Sequence, residues 1–420
     1  MAFRIALSGL DAASTDLEVT GHNIANASTV GFKESRAEFA DIYANSINDV
    51  SSSVPGRGVR VTRVAQQFGQ GSTEFTSNNL DLAISGEGFF VMQDSDGSFS
   101  YTRAGAFSVD RDGNVVNHTG ARLQVFPRIG TTGTLFNNGS TTDLNLPVIS
   151  GTPQATSNLE TTLNLSAAES TPAVVLDPAV FPPDPLSYNH STATTIYDSQ
   201  GTSHTATMFY RKEGPNQWSA YTFVDGVNVT VGGSTSADIQ FDGAGALLTG
   251  AGDVDPQGNV TIDNFTPTGS ADPITGMTFD YSSTTQFGSE FAVNELTQDG
   301  FTSGRLSGVE VDAEGVVFAR FTNGQSEPLG KVALARFSNV QGLRQIGDTA
   351  WAESFASGDR QLGEAGTSSY GVLQSGALEN SNVDLATQLV NLITAQRNFQ
   401  ANAQVITTAD AITQTVINIR

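Results

Sequence analysis

The chain begins with a stretch that cannot bury itself alone. In MAFRIALSGLDAASTDLEVTGHNIANASTVGFK, Phe3, Leu10, Leu17 and Ile24 recur every seven residues. Ala6, Ala13, Thr20 and Ala27 fall three residues after each of them. That spacing lays a narrow apolar seam along one side of a helix, with Arg4, Asp11, Asp16 and Glu18 elsewhere on its circumference. The seam requires a second helix, in this chain or a neighbour, unless it is an ordinary amphipathic helix packed on its own domain. The end of the chain supplies a match. From Ser381 onward, Leu385, Leu392, Phe399 and Ile406 repeat at seven before Thr413 weakens the line. Leu389, Gln396, Ala403, Asp410 and Ile417 run beside them, and Val405, Ile412 and Ile419 widen the stripe. Ser381 or Asn382 is placed to cap this helix, and neither Pro nor Gly interrupts it before Arg420.

Between these ends the signals are those of β-structure. With 420 residues there is room for two to four domains, and 43 Gly among many Ser, Thr, Asn and Asp imply frequent turns. From Val59 the apolar period becomes two. Strand candidates follow at Leu80–Ile84, Phe89–Gln93, Ser98–Thr102, Ala106–Val109, Val115–Asn117 and Leu123–Phe126, with Asp96-Gly97 and Asp112-Gly113 as hairpin turns. After a Gly-, Thr- and Ser-rich shift near Thr131, a second set of strands appears. There His204, Ala206, Met208 and Tyr210 alternate, and Asp225-Gly226 and Asp242-Gly243 supply turns. The Pro-rich Phe181–Pro185 is expected to be a loop or an edge strand. Val309–Val311, Val316–Phe321 and Val332–Phe337 then return to the first β-domain.

The resulting expectation is a mainly β chain with α-helical termini. The N- and C-terminal helices pair as a coiled-coil-like element, and of two β-domains the outer is inserted into the inner. The expected boundaries are 1–30 for the first helix, 31–58 for a linker and 59–146 for the first part of the inner β-domain. The outer domain is placed at 147–281, the second inner part at 282–341, a return linker at 342–380 and the last helix at 381–420. Within the first linker, Glu34 to Ser53 reads as extended or partly helical, ordered only against neighbours. Arg57, Arg60 and Arg63 read as a solvated strand face, with contact to an acidic neighbour as the alternative.

Charge and chemistry narrow the function. A formal net charge of -23 disfavours nucleic acid and anionic membrane surfaces. Asp11, Asp16 and Glu18 interrupt any signal-peptide core, and no stretch is long and apolar enough to insert in a membrane. There is no cysteine, which removes disulfides and thiol chemistry. The Asp94–Gly97 and Asp110–Asn114 stretches contain pieces of a calcium loop without its later Gly and Glu, so they read as turns. His22, His118, His190 and His204 show no zinc spacing. Gly86-Glu87-Gly88 and Gly243-Ala244-Gly245 lack the third glycine of a nucleotide site. No catalytic, cofactor-binding or metal residue is expected, and no cofactor.

Several stretches together resemble the bacterial flagellar axial proteins. Ser8-Gly9-Leu10 with His22-Asn23-Ile24-Ala25-Asn26-Ala27-Ser28-Thr29-Val30-Gly31-Phe32-Lys33 is similar to the N-terminal signature of rod and hook subunits. Asn79–Phe90, followed by Tyr101-Thr102-Arg103-Ala104-Gly105, resembles their common β-domain. Ser375–Leu385 and Ala395–Ala403 resemble their C-terminal signature. The large inserted segment favours the hook type over the shorter distal rod type; a junction protein or a secreted β-rich adhesin are the other readings. The resemblance implies a self-polymerising structural subunit, exported without a cleaved signal through the flagellar type III export apparatus to the extracellular hook. It implies a distal rod protein, a hook cap protein and a hook–filament junction protein as partners. Phe3, Leu10, Leu17, Ile24, Leu385, Leu392, Phe399 and Ile406 would form the assembly seam, and the helices would be largely disordered before assembly. The outer domain is expected to make replaceable polar contacts. The cysteine cross-link found in some relatives is excluded here.

Overall fold

A computed structural model describes residues 2–42, 56–130, 135–147, 151–269, 272–367 and 369–418. Two helices flank many strands: α1 spans Ala2–Ala25 and α2 spans Leu385–Asn418. The chain divides into two compact units. The first comprises residues 1–148, 307–320 and 326–420; the second comprises 149–306 and 321–325.

In the first unit the central strand is Phe89–Gln93, paired antiparallel with Phe99–Thr102 and with Arg122–Pro127. Phe89, Phe90, Val91 and Met92 are all buried, because both faces of this strand are covered. On one side Phe89 meets Trp351 at 5.7 Å and Tyr101 meets Phe337 at 4.7 Å, ring edges against faces. On the other Phe90 lies 5.3 Å from Phe107. The Asp-Gly turns close hairpins as the sequence implies. Asp110 Oδ1 accepts the amides of Asp112 and Asn114 at 2.9 and 2.8 Å, so the carboxylate organises its own turn.

Among the described residues, the second unit contains two sheets. One has the order Asn259–Thr261, Thr278–Asp280, Asn158–Asn164, Ala292–Gln298. The other runs His190–Tyr197, Ser203–Gly214, Gln217–Val224, Val227–Val229, with Ala237–Gln240 also on Gln217–Val224. Leu159, Leu163, Met208, Tyr210, Trp218 and Phe279 share its core. His204 is buried with Nδ1 2.6 Å from Asp225 Oδ2. The opposite face of Ser203–Gly214 carries Phe209, which packs with Leu176, Tyr221 and Phe223. Phe181–Pro185 is loop rather than strand, with Phe181 lying 5.4 Å from the Phe223 ring.

Four expectations need correction. The 31–58 segment is not simply a linker: Ser35–Asp41 pairs antiparallel with Val59–Gln66. Pairing satisfies the backbone, Ala37 and Ala65 are buried, and Arg63 Nε meets Glu38 Oε2 at 2.7 Å, while Arg57 and Arg60 stay exposed. The later part of the Glu34 to Ser53 stretch, residues 43–53, lies outside the described residues. The outer unit does not end at Tyr281, because Ala292–Gln298 adds a strand to Asn158–Asn164. Residues 342–380 are not a return linker. Their Gly and Ser mark turns between short strands, including Ala350–Ala352, which buries Trp351, and Val372–Ser375 on Leu82–Ser85. The outer unit is also less polar than expected, since Val175, Phe181, Leu186 and Val227 are exposed.

Candidate assembly interface

The two ends of the chain meet. Asn23 Nδ2 lies 3.3 Å from Gln388 Oε1, and a methyl group on Gly9 would stand 2.5 Å from Asn402 Oδ1. As the number rises along α1 it falls along α2, so the helices are antiparallel. The residues buried along the pair are small or polar: Ala6, Ala12, Ala13, Thr20 and Asn23 on α1, Gln388 and Ala395 on α2. Small side chains let the two backbones approach closely, and Gly9 is the extreme case.

This changes the meaning of the heptad lines. Leu10, Leu17, Ile24, Leu392, Phe399 and Ile406 are only half-buried, and Phe3 and Leu385 are exposed at 51% and 49%. The companion line Ala6, Ala13 and Thr20 is what the helix pair covers, because large side chains would hold the backbones apart. The large residues of the heptad lines stay half-exposed at the margins of that contact, while Leu389, Val390, Ile393 and Val405, elsewhere on α2, are exposed. Ala401, Gln404, Val405, Thr408, Ala409 and Ile412 line a shallow groove of about 450 Å³ on α2. α2 also outruns its partner. With Gly9 beside Asn402, the start of α1 stands roughly opposite residue 409, so among the described residues no helix lies across from the last two turns of α2. Ile412 and Ile417 lie there, both exposed.

The foot of the pair is polar and densely bonded. Asn23 grips the Ser35 backbone at both ends, donating to its carbonyl at 2.7 Å and accepting its amide at 2.9 Å. Asn382 Oδ1 accepts the Glu34 amide at 2.8 Å while its Nδ2 donates to Gln67 O at 2.8 Å. Gln388 Nε2 donates to Glu34 Oε1 at 2.8 Å. Asp384, not Ser381 or Asn382, caps α2, its Oδ1 accepting the Thr387 amide at 2.8 Å. Ser8 Oγ accepts the Val59 amide at 3.2 Å, which ties α1 to the strand beside it.

Beneath this network lies a buried ion node. Glu379 pairs with Lys33 at 2.5 Å and with Arg103 at 3.2 Å, and none of the three side chains is more than 6% exposed. Burial pushes the Lys33 ammonium and the Arg103 guanidinium below their ordinary pKa values, and the neighbouring Glu379 pulls each partly back. Sequence reasoning quoted all three residues inside motifs but assigned them no role. The available signal was two cations and one anion, each set among Gly, Ala, Phe and Asn. Gly31 belongs to the same foot: at φ +70 its amide reaches Glu379 O at 2.8 Å, and a side chain there would strike Ala104 N.

Comparison with known proteins gives the geometry its context. Residues 3–33 match the flagella basal body rod protein family, and 374–419 match the flagellar basal body rod FlgEFG protein C-terminal family. Residues 83–157 match the flagellar hook protein FlgE/F/G D1 domain, and 158–301 the flagellar basal body protein FlaE D2 domain. The flagellar hook protein FlgE of Escherichia coli is 37% identical, with all of both chains covered. That of Borreliella burgdorferi is 32% identical over 99% of this chain and 98% of its own. The chain belongs to the flagellar hook protein FlgE family. A crystal structure of Helicobacter pylori flagellar hook protein FlgE2 covers 73% of this chain and 100% of its own, at TM-score 0.51 and 14% identity, which speaks to the fold alone. The FlgE family is a structural one, and as its member the chain is a structural subunit of the flagellar hook. The two signature regions at the ends are the ones that build the helix pair and its foot.

Proposed function

We propose that the chain polymerises with itself through its terminal helices into a curved, flexible tube that transmits torque from rod to filament. The observation that carries this reading is the apolar surface that the antiparallel pair α1–α2 leaves uncovered, half-exposed at Leu10, Leu17, Leu392 and Phe399 and fully exposed at Val405 and Ile412. Leu10, Leu17, Ile24, Leu392, Phe399 and Ile406, with Phe3 and Leu385 at the margins, contact neighbouring copies. Burying them in an assembly removes exposed apolar area from water, at roughly 25 cal/mol per Å². Before assembly the helix pair has that surface in water and is easily opened, which suits passage through the flagellar type III export apparatus. The β-units form outer layers whose contacts change as the tube bends. The distal rod protein, the hook cap protein and the hook–filament junction protein meet the polymer at its ends. No step of catalysis is involved.

The test is electron microscopy of the purified full-length protein under salting-out conditions, beside Leu392→Asp. Curved tubes are expected from the parent chain and none from the variant, whose second unit melts as before, because a carboxylate cannot enter an apolar seam unpaired. Straight, stiff tubes would indicate a rod-type subunit. Normal tubes from Leu392→Asp would remove that residue's half of the seam.

A further inference from the structure

The contact line of the helix pair carries a buried hydrogen bond at its foot, Asn23 Nδ2 to Gln388 Oε1 at 3.3 Å, and its repeating pattern does little more to fix register. Ala6 and Ala13 are small residues seven apart, and the stretch of α2 they cross, about residues 398–406 given the Gly9–Asn402 and Asn23–Gln388 contacts, buries none of its large side chains fully. Moving α1 by one heptad along α2 would again set Ala6 and Ala13 against the same alternation of large and small residues, Leu392, Ala395, Phe399, Asn402 and Ile406. Degenerate seams of this kind need a polar or ionic element to fix register.

Glu379 is built to supply it. Its carbonyl accepts the Gly31 amide at 2.8 Å, its Oε1 accepts Lys33 Nζ at 2.5 Å and the Gly71 amide at 3.0 Å, and its Oε2 accepts Arg103 Nη1 at 3.2 Å. Lys33 Nζ donates onward to Gly69 O and Arg103 Nη2 to Gly86 O, each at 2.8 Å. The segment leaving α1, the segment entering α2 and the β-structure between them are thus joined at one carboxylate. Removing three charges from water is costly, and apolar side chains of similar size would often stabilise a site as well or better. What apolar side chains lack is direction. A one-residue displacement of either end would leave a buried charge facing nothing, whereas a patch of methyl groups would accommodate it.

We propose that Glu379 is a positioning residue whose buried ion node fixes the register in which α1 and α2 of one subunit pair, and so selects which apolar residues stay uncovered. Its effect on tubes rests on the self-assembly reading; its effect on register does not.

The experiment compares the full-length chain with Glu379→Gln and with the triple variant Lys33→Met, Arg103→Met, Glu379→Met. Because the chain has no cysteine, Glu18→Cys and Thr394→Cys, both exposed positions, can carry spin labels for a distance measurement across the pair. It is made on the soluble subunit and on tubes diluted with unlabelled chain. The parent is expected to give one narrow distance in at least one of these states. Glu379→Gln is expected to broaden or split it and to raise the concentration needed for tube growth at least tenfold. The triple variant is expected to regain the parent's melting temperature without regaining the single distance, an outcome a merely stabilising node would not produce. A triple variant with the parent's narrow distance would overturn the proposal, as would an unaltered Glu379→Gln or a parent that is broad in every state. A parent that forms no tubes yet gives the narrow distance, lost in both variants, would sink the assembly reading and leave the register assignment standing.

Discussion

Asp384 sets the start of a 34-residue helix with one oxygen. The amide of Thr387 would otherwise have no partner at the end of α2, and its hydrogen bond holds the Asp384 carboxyl below the ordinary carboxylate range. The sign of the pH effect follows. A lowered folded value means the cap stabilises fully above about pH 4, and that contribution disappears as pH falls through the folded value. Asp384→Ala is therefore expected to lower the helical circular dichroism of the subunit at pH 7, and the gap to the parent should close as pH falls below about 4. A gap that persists undiminished at pH 2 would show that the side chain acts by some route other than its charge. The cap was misread from sequence for a simple reason: Ser381, Asn382 and Asp384 are all capping types within four residues. Ser381 and Asn382 are engaged elsewhere, Asn382 with Glu34 and Gln67, and only the fold decides that.

At the scale of elements, the terminal helices were legible because their period is strict and nothing breaks it. Which line of the seam meets which partner was not legible, since a large and a small stripe on one helix both suit burial and only the inter-backbone distance separates them. The α1–α2 contact and the uncovered apolar surface can be tested apart. Gly9→Val places a branched side chain where Asn402 stands and should cost about 1–3 kcal/mol of helix pairing. Ile412→Ser removes an exposed apolar residue from the unopposed end of α2 and should leave pairing intact while weakening tube growth. Amide exchange in α1 reads the first effect and light scattering during polymerisation the second. If Gly9→Val left exchange unchanged, the close approach at that position would be unimportant. The strands of residues 342–380 were missed because each is short and flanked by Gly or Ser. They gain order from neighbours distant in sequence, as Ala350–Ala352 does from Phe99–Thr102.

Over the whole molecule, the insertion of one β-unit into another was visible as a change in strand character and a return of it. The far boundary was not, because Ala292–Gln298 is largely exposed and carries little apolar signal, yet it completes a sheet by backbone pairing with a strand more than a hundred residues earlier. Each unit has its own buried cluster: Phe89, Tyr101, Phe337 and Trp351 in one, Met208, Tyr210, Trp218 and Phe279 in the other. Units with separate cores are expected to melt as separate transitions. Met208 is fully buried, so Met208→Ala should cost about 2–5 kcal/mol, felt only where that core is lost. Scanning calorimetry of the full chain should then show one transition moving to lower temperature and the other holding its position. The same variant should still polymerise below its lowered transition, because the terminal helices and their foot lie in the first unit. If both transitions moved together, the two cores would be unfolding as one cooperative body, and an inserted unit able to change its contacts independently while the tube bends would lose its physical basis.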